Sequence, residues 1–145
     1  MCFRVLGRTV TWNEPFRKRG WEVIVITEED DIASEYGINK VKNAITQPGD
    51  VLWHSQPCTG GCPWQIVNAK RSHATKLKID AHWKEFARLW NAFQIVAQHA
   101  IDVGASVYHE WPRGCMYWGN RKVALAKHTI RRGDCKTPFV IHKVR

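Results

Sequence analysis

Six apolar residues, Trp83, Phe86, Trp90, Phe93, Ala97 and Ala100, recur at alternating steps of three and four, and this pattern constrains the fold more than any other in the chain. The spacing sets all six on one face of an α-helix. Four of them carry large aromatic rings, and each ring gains roughly 2–3 kcal/mol by leaving water, so the helix must lie against a broad apolar surface. Gly104, just past the stripe, supplies the left-handed residue on which helices commonly end.

Short β-rich runs are the candidates for that surface. Residues 21–27 (WEVIVIT) are apolar and β-branched, and residues 50–54 (DVLWH) follow the turn Pro48-Gly49. Residues 105–109 (ASVYH) follow Gly104, and residues 138–142 (PFVIH) lie near the end. Each reads as a buried strand. A short helix over residues 14–19 would stop at Gly20, residues 31–45 carry mixed helical signals, and residues 122–132 suit helix or strand equally. Strands alternating with helices predict an α/β fold with a mainly parallel sheet, whose ligands sit beyond the carboxyl ends of the strands. At 145 residues, with no internal repeat, the expectation is one domain over residues 1–145.

The chain is 44% hydrophobic and 24% charged, which argues against disorder. No run is long enough to span a bilayer and the first residues lack the apolar core of a secretory signal, so the expectation is an intracellular protein, cytoplasmic or nuclear, without a membrane partner. Five cysteines without a CxxC pair fit a reducing compartment. A net charge of +9 favours polyanions and makes nucleic acid the expected partner, although basic chains also exist for solubility alone. Residues 69–78 (AKRSHATKLK) concentrate cations, with Arg71 and Lys76 the candidate phosphate contacts. The plainer alternative is a solvated connection.

Two loops carry the candidate chemistry. The strand at residues 50–54 runs into SQPCTGGCPW (residues 55–64), which sets Cys58 at the tip of a rigid sheet. His54 and the basic run could supply the positive field that activates a thiolate. The next strand delivers Glu110, a possible acid, and Pro112 and Gly114 hold Arg113 in an irregular turn suited to a phosphate or carboxylate. The plain alternatives are an inert buried cysteine and a Glu110 ion pair with Arg113 or a lysine. His54, Cys58 and Cys62 also recur every fourth residue, so with Cys115, Cys135, His73 or His109 they form an alternative zinc set. Trp53, Trp64, Trp111 and Trp118 surround these loops, either as faces for stacking a base or as plugs.

Three segments resemble the cytosine-carbon-5 DNA methyltransferases and their phage and mobile-element relatives. PFRKRGWEV (residues 15–23) is similar to the first helix and second strand of that fold. PGDVLWHSQPC (residues 48–58) is similar to its nucleophile loop, and EWP (residues 110–112) to its glutamate segment. The likeness covers roughly residues 12–118. It implies a Rossmann-like methyltransferase-type domain, whole or reduced, that uses S-adenosylmethionine. In that frame Cys58 attacks carbon 6 of a flipped cytosine while Glu110 engages the ring nitrogen and amine, the two facing one cleft. Arg113 or Arg131 would position phosphate. Gly7 would belong to the cofactor turn, Glu28 or Glu29 would hold the ribose, and Trp21 or Trp53 would stack the adenine.

The turn at residues 5–12 departs from the family, with a single glycine and with Arg8 and Trp12 where space is needed, so affinity for S-adenosylmethionine is expected to be weak or absent. The chain also lacks room for a target-recognition domain. The alternatives are a catalytically inactive nucleic-acid-binding derivative of the fold and a small zinc-stabilised interaction module.

Overall fold

The computed structural model describes residues 2–6, 18, 20, 22–131 and 140–144, with side chains at residues 18, 20 and 22–126. Five strands, β1 (Cys2–Leu6), β2 (Glu22–Ile26), β3 (Val51–His54), β4 (Ser106–Pro112) and β5 (Val140–Val144), pair in parallel in the order β2-β1-β3-β4-β5. From β1 the chain moves outward to β2, then returns past β1 to build β3, β4 and β5 on the other side. The winding direction therefore reverses between β1 and β3, and ligands of open parallel sheets collect beyond the carboxyl ends at such a reversal.

The described residues also form the helices α1 (Glu35–Ala44), α2 (Trp64–Asn68), α3 (His73–Asp102) and α4 (Arg121–Arg131). Ser34 caps α1 by accepting a hydrogen bond from the Gly37 amide at 2.9 Å. Ser72 caps α3 by accepting from the Thr75 amide at 3.1 Å. At its far end α3 stops on Gly104, whose φ of 79° is costly for any residue with a Cβ. Both α1 and α4 pack against α3, which lies across β3 and β4.

The aromatic stripe does what its spacing requires. Phe86, Trp90, Phe93, Val96, Ala97 and Ala100 are buried against Leu52, Val107 and Trp111 of the sheet. Side chains alternate along β3 and β4, so Leu52, His54, Val107, His109 and Trp111 face α3 while Val51, Trp53, Tyr108 and Glu110 face the other way. On that second face Val23 packs with Val25, Val51 and Trp53.

The fold departs from the sequence reading in several places. α3 begins ten residues before Trp83, so the second half of the basic run at 69–78 is helical rather than a plain connection. Its 30 residues span about 45 Å, whereas strands of 4–7 residues span about 13–23 Å. No residue of α3 before Ile79 is buried, and these first turns overhang the carboxyl edge of the sheet. Residues 121–131 are helix. Val5 and Leu6, assigned to the cofactor turn, belong to β1, and of the helix expected at residues 14–19 all but residue 18 lies outside the described residues. No helix among the described residues is long and apolar enough to cross a membrane.

Phe93 is fully buried and Ile95, two residues along the same helix, is 47% exposed. Phe93→Ala is expected to cost about 3–5 kcal/mol and Ile95→Ala within about 0.5 kcal/mol, read from denaturant unfolding midpoints. Equal costs would mean that α3 does not dock through the face described.

Candidate functional site

The last paired residues of β3 and β4 are His54 and His109. Both are buried, and their Nδ1 atoms lie 2.8 Å apart. A hydrogen bond between two neutral imidazoles needs one ring protonated on Nδ1 and the other on Nε2. The rings around them are apolar: Phe93 stacks on His54 at 3.9 Å, and Trp90, Trp111 and Trp118 meet His109 edge-on. Burial, and secondarily His109, holds the His54 pKa well below the ordinary histidine value.

Beyond this pair the strands part. β4 continues to Pro112, while β3 becomes the loop at residues 55–63. The Trp111 indole N–H donates to the Gln56 carbonyl at 3.1 Å, tying the loop to β4. The Gln56 carboxamide is itself buried with neither atom hydrogen-bonded. A short 3-10 turn, Thr59–Gly61, then packs under the turn Met116–Gly119. Here glycine is compulsory: a Cβ on Gly60 would stand 2.6 Å from the His82 Cβ, and one on Gly61 2.7 Å from the Cys115 Sγ. The Tyr117 hydroxyl donates to the His82 carbonyl at 3.3 Å and clamps the turn onto α3.

Three thiols meet in this packed corner. Cys115 is buried, and Cys58 and Cys62 are half-buried. Burial first, then the negative charge that Cys58 and Cys62 would carry as thiolates, pushes the Cys115 thiol up to about 11. Burial, then Cys115 and Cys58, pushes Tyr117 up to about 12.

Cys58 rests against the core on the α3 side, whereas Glu110 occupies an outward position of β4 on the opposite face. The structure gathers Cys58 with Cys62, Cys115 and Tyr117 instead of joining it to Glu110 in one cleft. No ion pair joins Glu110 to Arg113 among the described residues. The zinc alternative is not formed either: His54 is committed to His109, and no three His, Cys, Asp or Glu side chains among the described residues are arranged to hold a metal ion. Cys135 lies outside the described residues.

Of the expected cofactor contacts, Glu28 begins a 3-10 turn at the carboxyl end of β2, a suitable place for a ribose contact. Glu29 is the next residue of that turn. Trp53 is the penultimate residue of β3, on the face away from α3, stacked on Tyr108 at 5.8 Å. Gly7 and Trp21 lie outside the described residues.

A cationic surface at the same edge is better developed. Residues 51–79 contain no Asp or Glu, and neither do residues 111–133. Lys70, Arg71, Lys76, Lys78, Arg113 and Arg121 are exposed, and Lys76 is held by Asp80 at 2.9 Å. Arg131 closes α4, with its side chain outside the described residues. Pro63 lies 3.7 Å from where a Gly114 Cβ would stand, so the Arg113 turn flanks the start of α2. The absence of acids from these stretches was visible in the sequence, but only the packing of α2, α3 and the Arg113 turn shows them as one surface.

A histidine with a depressed folded pKa takes up a proton on unfolding when the pH lies below its unfolded value of about 6.5. Its stabilising contribution is complete above that value and is lost as the pH falls toward the folded pKa. Denaturant unfolding is therefore expected to show stability falling from pH 7 to pH 5, by up to about 1.4 kcal/mol per pH unit for each proton taken up. In His54→Leu, less stable throughout, the slope should be shallower, and an unchanged slope would remove His54 as its source.

No protein-family model matches the chain, and the searches of curated proteins and of solved structures return no match.

Proposed function

We propose that the chain is a nucleic-acid-binding protein built on a Rossmann-like, methyltransferase-type frame, gripping phosphates at the carboxyl edge of its sheet. The observation that carries this reading is the cationic surface formed by α2, the first turns of α3 and the Arg113 turn, where Lys70, Arg71, Lys78 and Arg113 are exposed, residues 51–79 and 111–133 contain no Asp or Glu, and Asp80 pairs with Lys76. Cations grouped without interspersed acids release counterions from a polyanion when they bind it. The order β2-β1-β3-β4-β5, with its reversal between β1 and β3, supports the frame. The separation of Cys58 from Glu110 across the sheet favours binding without catalysis.

Binding to DNA should weaken steeply with salt. The slope of log K against log salt is about −0.9 per phosphate contacted on duplex and about −0.7 on single strands. The double variant Lys70→Ala/Arg71→Ala should make it shallower by about one to two. A wild-type protein with no salt slope in filter binding would contradict the reading.

Methyl transfer to cytosine by Cys58 is a second reading, favoured by the half-buried thiol just beyond the end of β3. Calorimetric titration with S-adenosylmethionine separates the two. Weak or absent binding is expected, and a micromolar Kd together with methyl transfer lost in Cys58→Ser would put the enzyme first.

A further inference from the structure

Tryptophans with described side chains take two kinds of position. Trp90, Trp111 and Trp118 are buried, and Trp53 and Trp83 are half-buried against other rings. Trp64 is 73% exposed at the first position of α2. An indole is costly to leave in water, and a short helix could have turned it inward.

The local structure fixes it outward. Gln65 and Asn68, half-buried, form the inner side of α2. The Gln65 side-chain amide donates to the Thr59 carbonyl at 3.1 Å, and the Asn68 amide donates to the Gln65 side-chain oxygen at 3.2 Å. Hydrogen-bonded turns continue the helical path to Arg71. Trp64, Val67 and Arg71 follow at steps of three and four, the spacing of one helical face, and all three are exposed. Ile66, 57% exposed, precedes Lys70 by one turn. The result is an exposed apolar face headed by Trp64 beside Lys70 and Arg71, with the Arg113 turn flanking it across Pro63.

We propose that Trp64 is a stacking platform for an unpaired base and that the ligand of this surface is a single-stranded nucleic acid. The proposal rests on the nucleic-acid reading above and adds the strand state and the residue that senses it. Every base offers a π-face, but in a duplex those faces are occupied by their neighbours, so a protruding indole flanked by phosphate-binding cations selects unpaired strands. A protein partner that covered this apolar patch would need acidic residues opposite Lys70, Arg71 and Arg113. A nucleic acid supplies that charge in its backbone.

The test is fluorescence anisotropy with a dye-labelled oligothymidine and a hairpin duplex of equal charge, across a salt series, for wild type, Trp64→Ala, Trp64→Phe and Lys70→Ala/Arg71→Ala. The substitutions fall on exposed side chains, and circular dichroism confirms the fold of each variant. Trp64→Ala should weaken single-strand binding about tenfold or more with the salt slope unchanged. It should leave duplex binding as in wild type, and Trp64→Phe should retain most of the single-strand affinity. Trp64→Ala binding the single strand as wild type does, with the slope intact, would overturn the stacking proposal and leave the nucleic-acid reading standing. Absence of any salt-dependent binding by wild type would overturn both. Equal losses on single strand and duplex would overturn the proposed selectivity.

Discussion

Two imidazoles facing each other inside an aromatic layer set the terms for the rest of this molecule. His54 and His109 close the pairing of β3 with β4, and burial disfavours a charge on His54, whose pKa lies well below the ordinary histidine value. A neutral pair sharing one proton behaves as a flat polar plate, and Phe93, Trp90 and Trp111 pack on it as on any other ring. This explains why histidine is tolerated at positions that the sheet alternation assigns to the core. It also fixes where the strands separate: β3 leaves the sheet at His54 while β4 runs on to Pro112, and the Trp111 indole ties the loop back to β4 through the Gln56 carbonyl.

The loop and the turn after β4 are consequently one packed unit. Gly60 and Gly61 bring the backbone against Tyr117, Cys115 and His82 at separations that leave no room for a Cβ. In that unit burial raises the pKa of the Cys115 thiol and of the Tyr117 hydroxyl. A cysteine–proline–glycine pattern is therefore compatible with close packing as well as with nucleophilic chemistry.

The sequence disclosed the fold where periodicity was strong. The stripe from Trp83 to Ala100 specified a buried helix face, and the β-branched runs at β2, β3 and β4 were visible as strands because both faces of a parallel sheet are covered. It did not disclose β1, whose five residues, CFRVL, include a charge and precede no strong turn signal. The true start of α3 was hidden because its first turns face solvent and carry no apolar period. At the site, the loops were legible as unusual, but which face each side chain takes was not. Glu110 falls on the outer face because strand alternation counts from His109 and Trp111, whose inward positions depend on α3. His54 resembled a metal ligand because its spacing to Cys58 and Cys62 is local, whereas its real partner comes from 55 positions away.

The first of the described strands is also one of the middle strands of the sheet. β1 pairs with β2 on one side and with β3 on the other, so Phe3 meets both Val23 and Val51. The helix between β3 and β4 can form from local contacts within microseconds, but the sheet cannot close until distant segments find each other, and contacts of this range slow folding. During synthesis from the amino end, β1 and β2 can meet early, yet the far edge of β1 stays open until residues 51–54 have emerged. Over that interval the growing chain carries an unpaired parallel strand edge, and it is then most open to chaperones and to mispairing.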